Sequence, residues 1–205
     1  MARWEPDARG RLEKAAMELF EERGYVRTTV EEIAARAGLT ERTFFRYFAD
    51  KREVLFSGSK ELEKSIVDGI EGAPREASAL EAVVAAFEAA GAELQERRDI
   101  RFVRARYKLV TNHSEVQERE LIKLASLALA VARALRARGV PEPAATLAAE
   151  VGIAVFKTGF ERWVNGSKPR DLAAHIRAAV DAIKAVAAEG NPPTQRRERK
   201  PARRA

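Results

Sequence analysis

The side chains best suited to chemistry in this sequence lie in one short segment, residues 41–48, which a helical period divides into two faces. On a helix, Arg42 and Arg46 lie opposite Phe44 and Phe48. Two guanidinium groups on one exposed face can each pair with the O6 and N7 atoms of a guanine in the major groove of DNA. The segment therefore predicts a base-reading helix, with Glu41 in its first turn and flanking side chains at Thr43 and Phe45.

Two threonines, Thr28 and Thr29, precede a second short helix on its N-terminal side. Amides and hydroxyls at a helix start can bind a phosphate group, and the helix dipole favours the negative charge. The sequence Thr29-Val-Glu-Glu32 is also a capping box, in which the hydroxyl and the carboxylate satisfy exposed amides. The two roles are compatible, so both are expected.

The elements that position these residues form a helix, a turn at Gly38-Leu39 and a second helix over residues 30–48. This is the helix-turn-helix arrangement, in which the first helix braces the second so that its outward side chains enter the major groove. The string Thr28-Thr-Val-Glu-Glu-Ile-Ala-Ala-Arg-Ala-Gly-Leu-Thr-Glu-Arg-Thr-Phe-Phe-Arg-Tyr-Phe-Ala-Asp-Lys51, preceded by Leu19-Phe-Glu-Glu-Arg-Gly-Tyr25, resembles the N-terminal domain of the tetracycline-repressor (TetR) family over about residues 9–56.

The resemblance implies roles that spacing alone does not give. Thr40 and Thr43 match hydroxyls of the recognition helix, Tyr47 matches a ring that contacts phosphate, and Lys51 matches a lysine that contacts the DNA backbone. Phe45 departs from the pattern, because family members often carry tyrosine there. Its ring could touch a thymine methyl group or could pack in an aromatic core, and Arg42 could equally be a solvated arginine.

The whole chain is predicted to be all-α, with about nine helices, because apolar residues recur at helical spacing between glycines, prolines and capping residues. Three helices form a DNA-binding domain over residues 1–56, and a fourth runs from Asp50 to Asp68. A boundary near Gly69 precedes a helical effector-binding and dimerisation domain over residues 69–190. Residues 191–205 are rich in proline and arginine and are predicted to be a disordered basic tail.

The last two helices are the expected dimer surface, since a helix-turn-helix reader binds two half-sites one DNA turn apart. The family resemblance also implies dimerisation through these helices. Their apolar stripes suit a four-helix interface, although an intrachain core is the alternative. The predicted interface residues are Leu147, Val151, Val155, Leu172, Ile176, Val180 and Ile183.

The helices between the DNA-binding domain and the dimer surface are expected to enclose a pocket for an unknown small-molecule effector, as the resemblance implies. The candidates are Phe87, Phe102, Arg104, Tyr107, Phe156, Phe160 and Trp163, and plain core packing is the alternative for each ring. A run of basic residues from Arg98 to His113 could supply a cation for an acidic ligand, or could be a solvated face paired with Glu115, Glu118 and Glu120.

Composition argues against catalysis and against a membrane location. The 205 residues include no cysteine and two histidines, and neither histidine follows a glutamate at the Glu-x-x-His spacing of a di-iron bundle. Phosphate-loop, nucleophile-elbow and zinc-protease motifs are not found. We therefore expect no enzyme, metal or cofactor, and a soluble cytoplasmic protein, because no apolar run approaches the length of a membrane span.

The charge of the chain lies mainly in its tail. With 37 basic and 31 acidic residues the net charge is +6, and residues 191–205 alone carry six cations and one acid. The tail could add nonspecific phosphate affinity or could be a solubilising terminus. The sequence thus predicts a dimeric regulator that binds an inverted repeat in double-stranded DNA and acts as a repressor released by an effector. The alternative is a regulator without an effector, controlled by a protein partner or by abundance.

Overall fold

A computed structural model describes residues 7–166 and 171–189, which form ten α-helices and no strand. The all-α prediction is confirmed, with one helix more than expected. The helices are α1 (Ala8–Arg23), α2 (Val30–Arg36), α3 (Glu41–Tyr47), α4 (Lys51–Val54), α5 (Ser59–Glu71), α6 (Ala79–Arg97), α7 (Ile100–Asn112), α8 (Ser114–Ala137), α9 (Ala144–Asn165) and α10 (Leu172–Glu189). The predicted tail, residues 191–205, lies outside the described residues.

Several helices begin directly after a residue whose side chain caps the helix. Thr29 and Ser78 each accept a hydrogen bond from the amide three residues on, and the glutamate there binds back to the cap. The predicted capping box at Thr29 is therefore present, and Ser78 forms a second one. Asp7 and Asp50 cap α1 and α4 through their carboxylates. The Glu53 carboxylate, three residues after Asp50, pairs with Arg119 and Lys123 on α8.

The predicted fourth helix is not continuous, which is why ten helices are found. It is interrupted between α4 and α5, where Gly58 has a φ of 91°, a left-handed conformation that glycine adopts without a steric penalty. The interruption lets the two segments pack in different cores. Val54 and Leu55 are buried against α1 to α3, whereas Ile66 is buried against the later helices.

Two hydrophobic cores result, and the corner between α7 and α8 joins them. The first core holds Phe20, Phe44 and Phe48, and it also receives Val110 and Val116 from the two sides of that corner. The second core lies among α5, α6, α8, α9 and α10. The first three helices are thus seated directly on the second unit, and the domain limits given above remain a prediction.

The predicted dimer stripes were mostly wrong, because the chain uses them internally. Leu172 and Ile176 are fully buried and Val155 and Val180 nearly so, since α10 packs on both α6 and α9. Ile183 packs against the same core. Val151 is also partly buried there, and only Leu147 is well exposed. The outward side of this helix pair instead presents small residues at Ala154, Thr158, Ala178, Ala182 and Ala185.

A glycine sets how closely α9 and α10 approach. A Cβ atom at Gly159 would lie 2.9 Å from the backbone nitrogen of Ile176 and 3.0 Å from its Cα. Because backbone cannot rotate away, we expect Gly159→Ala to lower the free energy of unfolding by about 1–3 kcal/mol. Urea titration followed by circular dichroism would measure the loss.

Gly91 provides the matched control, because it faces the same helix from α6. A Cβ there meets only side-chain atoms of Ile176 and Leu172, at 3.2–3.3 Å. These side chains can adjust, and alanine favours helix by about 1 kcal/mol over glycine, so Gly91→Ala should be close to neutral. An equal loss in both variants would contradict the assignment of backbone contact at Gly159.

Candidate nucleic-acid interface and internal cavity

The α2–α3 pair is held from inside by apolar side chains and at its turn by hydrogen bonds. Ile33 and Phe44 are fully buried, one from each helix. In the turn Gly38 has a φ of 66°, and the Leu39 amide donates to the Ala34 carbonyl at 2.8 Å. The Arg11 side chain of α1 donates to the carbonyl of Ala37. The orientation of α3 is therefore fixed by α1 and α2.

The outward face of α3 carries the side chains that the sequence predicted for it. Glu41, Arg42 and Arg46 are exposed, and Phe45 is 54% exposed while meeting Phe44 edge to face. Arg46 donates to the Tyr47 hydroxyl at 3.2 Å, with its guanidinium 4.9 Å from the ring centre. Two cations and an exposed ring thus share one surface, and their contacts with bases remain predictions.

Two carboxylates of α1 are paired with a cation of α2. Glu22 accepts two hydrogen bonds from Arg36, which lower the pKa of its carboxyl, and Glu18 lies 3.5 Å from the same guanidinium. Within the described part of the chain no carboxylate pairs with Arg42 or Arg46. The two guanidinium groups of α3 thus keep their full positive charge on the exposed face.

The threonines around the helix starts divide into inward and outward groups. Thr29 and Thr40 are exposed caps, and the Thr40 hydroxyl accepts from the Thr43 amide at 3.2 Å. The Thr28 side chain is 1% exposed, and its hydroxyl donates to the carbonyls of Leu19 and Gly24. A phosphate contact through that hydroxyl is therefore not supported, because the group is buried and already bonded.

Lys51 also differs from its expected role. Its ammonium donates to the carbonyls of Tyr25, Val26 and Thr28 at 2.8–3.2 Å, which uses all three of its protons, and it lies 4.5 Å from the centre of the Tyr25 ring. The lysine fixes the loop between α1 and α2 rather than reaching outward. Its predicted contact with the DNA backbone is not supported, because the ammonium protons are already donated to these carbonyls.

Comparison with known proteins identifies the N-terminal domain. The model of "Bacterial regulatory proteins, tetR family" matches residues 12–57, which are α1 to α4 and the turn after them. The HTH-type transcriptional regulator TcmR of Streptomyces glaucescens is 38% identical over 81 residues. Residues 12–57 therefore form a DNA-binding domain of the TetR-family type. The match covers 40% of this chain and 36% of TcmR, so it spans little more than a third of that relative.

Solved structures extend the likeness of fold to nearly the whole chain. A TetR-family regulator from Syntrophomonas wolfei has a TM-score of 0.63 at 19% identity, covering 89% of this chain and 95% of its own. SmeT of Stenotrophomonas maltophilia, in complex with triclosan, gives 0.59 at 21% identity, covering 95% and 99%. FadR of Thermus thermophilus, in complex with lauroyl-CoA, gives 0.53 at 23% identity, covering 94% and 100%. At these identities the fold alone is shared.

A cavity of about 1200 Å³ lies where the TetR-family DNA-binding domain meets the later helices. Its wall includes residues of α1, the α4–α5 turn and helices α5 to α9. Of the side chains predicted to form a pocket, Phe102, Phe156 and Phe160 line this space. Tyr107 lies beside it, with its ring 6.0 Å from that of Phe160. The volume suffices for a drug-sized ligand.

Three other predicted pocket residues have structural roles instead. Phe87 and Trp163 are 0% and 3% exposed, because their rings are packed within the second core. Arg104 donates to the carbonyls of Val164 and Gly166 at 2.9 and 2.5 Å, and so caps the C-terminal end of α9. Its guanidinium is therefore already committed to the backbone.

The sequence reasoning missed Glu13, a carboxylate of α1 that is 8% exposed and lines the cavity. The Arg98 guanidinium binds both its oxygens, at 2.8 and 3.2 Å, across 85 positions of sequence. The available signal was a charge on an apolar helix face, because Glu13 precedes buried Met17 by one turn. That signal marks burial but does not reveal the partner.

A second ionic contact joins the domains at Glu53 of α4, which pairs with Arg119 and with Lys123 at 3.4 Å. Burial acts to raise the pKa of Glu53, but the Arg119 hydrogen bond and the two positive charges outweigh it and hold the pKa below its usual value of 4.5. A carboxyl whose pKa falls on folding contributes stability above the unfolded value, and this is lost as pH falls through the folded value.

We therefore expect the stabilising effect of Glu53 to disappear in acid. The free energy of unfolding of wild type should exceed that of Glu53→Gln at about pH 6, and the difference should shrink towards zero at about pH 3. Urea titrations at both pH values measure the difference, in which the titration of other carboxylates cancels. A difference that did not change with pH would contradict a charged role for Glu53.

Two further properties concern the described residues. None of their helices is both long and apolar enough to cross a membrane. No group of three or more histidine, cysteine, aspartate or glutamate side chains in residues 7–166 and 171–189 is arranged to hold a metal ion.

Proposed function

We propose that this protein is a dimeric, sequence-specific DNA-binding transcriptional regulator, and that it acts as a repressor released by a small molecule bound in the cavity. The observation that carries the proposal is the division of α3 into a buried face, with Phe44 at 0% exposure, and an exposed face with Arg42, Phe45 and Arg46. That face is free to enter a major groove. The TetR-family domain supports the same function.

The dimer is proposed to form through the outward side of α9 and α10. Small side chains on both helices, at Ala154, Thr158, Ala178 and Ala182, would allow close approach of a second copy. Leu147 and Val186 are 61% and 73% exposed, and both would be covered. The resulting four-helix interface would present two copies of α3 to one side of the DNA.

The effector site is proposed to be the cavity between the domains. Its wall includes α1 and the α4–α5 turn, so a ligand there would touch the DNA-binding domain itself. Two proteins that share the fold have been solved with small molecules, SmeT with triclosan and FadR with lauroyl-CoA. A ligand releases DNA only if it binds the free and the DNA-bound arrangements with different affinity.

Selection from random duplexes, followed by binding of the enriched sequence at two salt concentrations, tests the DNA-binding part. An enriched inverted repeat is the expected result. Salt-sensitive binding without sequence preference would overturn it, because phosphate contacts alone carry no base information. A thermal-shift screen of small molecules tests the effector, and a screen without any shift would favour control by a protein partner or by abundance.

A further inference from the structure

The cavity wall is asymmetric in charge where it is least exposed to solvent. The ion-paired side chains of the wall with exposures of 10–34% are two carboxylates, Glu13 and Glu120, and four cations. The cations are Arg98, Arg106, Arg119 and Lys123. Over the whole lining, acids and bases are equal in number, nine of each, so the excess of two cations belongs to these six side chains.

The acidic partners of these cations come largely from the DNA-binding domain. Arg98 binds Glu13 of α1, and Arg119 and Lys123 bind Glu53 of α4. Arg106 bonds to the Leu55 carbonyl at 2.6 Å as well as to Glu120. The later helices therefore hold the DNA-binding domain through cations that also face the cavity.

The wall also carries apolar side chains, some of them close to these cations. Phe102 lies under the Arg98 guanidinium, 5.0 Å from ring centre to Cζ, and Phe156 and Phe160 stack 6.0 Å apart. Leu94 and Leu127 complete this surface. A ligand that contacts both the cations and the apolar side chains of the wall has an apolar body and one acidic group.

We infer that the cavity binds an anionic amphiphile, an apolar molecule bearing a carboxylate, sulfonate or phosphate, whose acidic group competes with Glu13 for Arg98. The inference deepens the proposed function and rests on it. A carboxylate pairs with guanidinium through two parallel hydrogen bonds, the geometry that Glu13 now occupies. The two acids cannot both occupy it, so ligand binding and the α1 contact oppose each other.

The competition links the ligand to the DNA-binding domain. Glu13 is 8% exposed, and a buried carboxylate that loses its cation is strongly unfavourable. A bound acid therefore favours arrangements in which α1 moves away from Arg98 and Glu13 reaches water. Because α1 supports the α2–α3 turn through Arg11, such a movement also shifts the face of α3.

Binding of decanoate, decan-1-ol and decylamine, each below its micelle concentration, tests the inference by calorimetry on the full chain. Decanoate should bind about tenfold more tightly than the alcohol, the effect of one hydrogen bond to a charged group, and the amine more weakly than either. Arg98→Gln should remove the preference for decanoate. Arg101→Gln is the matched control, because Arg101 also lines the cavity but is 87% exposed and pairs with Asp99.

Glu13→Gln separates competition from a merely structural role. If Glu13 competes with the ligand, its loss should raise decanoate affinity by about tenfold, whereas damage to the wall would lower it. Equal binding of the three probes, binding of none of them, or an unchanged preference in Arg98→Gln would overturn the inference. A failed duplex selection would instead overturn the proposed function, since calorimetry on the free protein does not depend on DNA.

Discussion

Replacing Arg42 by alanine is expected to weaken binding to the selected inverted repeat by about 1–3 kcal/mol at each half-site and to relax the choice of base at one position. Arg42 is exposed on the outward face of α3, and no carboxylate of the described residues pairs with it. Its guanidinium is thus available for two hydrogen bonds to a guanine. Fluorescence anisotropy on the repeat and on single-base variants measures both effects.

Two controls distinguish base reading from general attraction to DNA. Arg42→Lys keeps the charge but loses the two-pronged geometry, so it should retain nonspecific affinity and lose discrimination. Arg133→Ala removes an exposed arginine of α8, outside the proposed interface, and should leave binding unchanged. A uniform loss on all duplexes for Arg42→Ala would assign Arg42 to phosphate contact and contradict base reading.

Introducing arginine at Ala182 on α10 is expected to separate the dimer and to lower operator affinity by about a hundredfold or more. Ala182 is exposed on the outward side of the α9–α10 pair, beside Ala178 and Ala185. A charged side chain there cannot be desolvated in a close helix contact without a partner. Sedimentation equilibrium measures the oligomeric state, and anisotropy on the repeat measures the affinity.

Ala85→Arg on α6 is the matched control, because it places the same side chain at another exposed alanine. It should leave both measurements unchanged. An Ala182→Arg protein that remained dimeric would locate the interface elsewhere. A monomer that still bound the repeat as tightly as wild type would contradict the proposal that binding requires the two DNA-binding domains of a dimer.

The local features of this chain followed from its sequence. Thr29 and Ser78 cap helices because the residues that satisfy their amides lie three positions on, and the two faces of α3 follow from a period of 3.6 residues. The all-α class and the exposure of Arg42 and Arg46 were therefore predicted correctly, whereas Phe45, which the sequence left open between groove contact and core packing, is exposed in the structure. The interruption at Gly58 was missed, because a glycine inside a helical pattern does not by itself reveal a break.

What packs against what was decided only by the tertiary structure. Both sides of α9 and α10 carry alanine and other apolar residues, so the sequence does not show which side α6 covers. The side predicted to form the dimer interface is the one that packs inside the chain. Lys51 and Thr28 point inward because the α1–α2 loop offers them carbonyl groups. The Glu13–Arg98 pair joins residues 85 positions apart. Periodicity and caps act within a few residues, whereas such pairs depend on how whole helices pack.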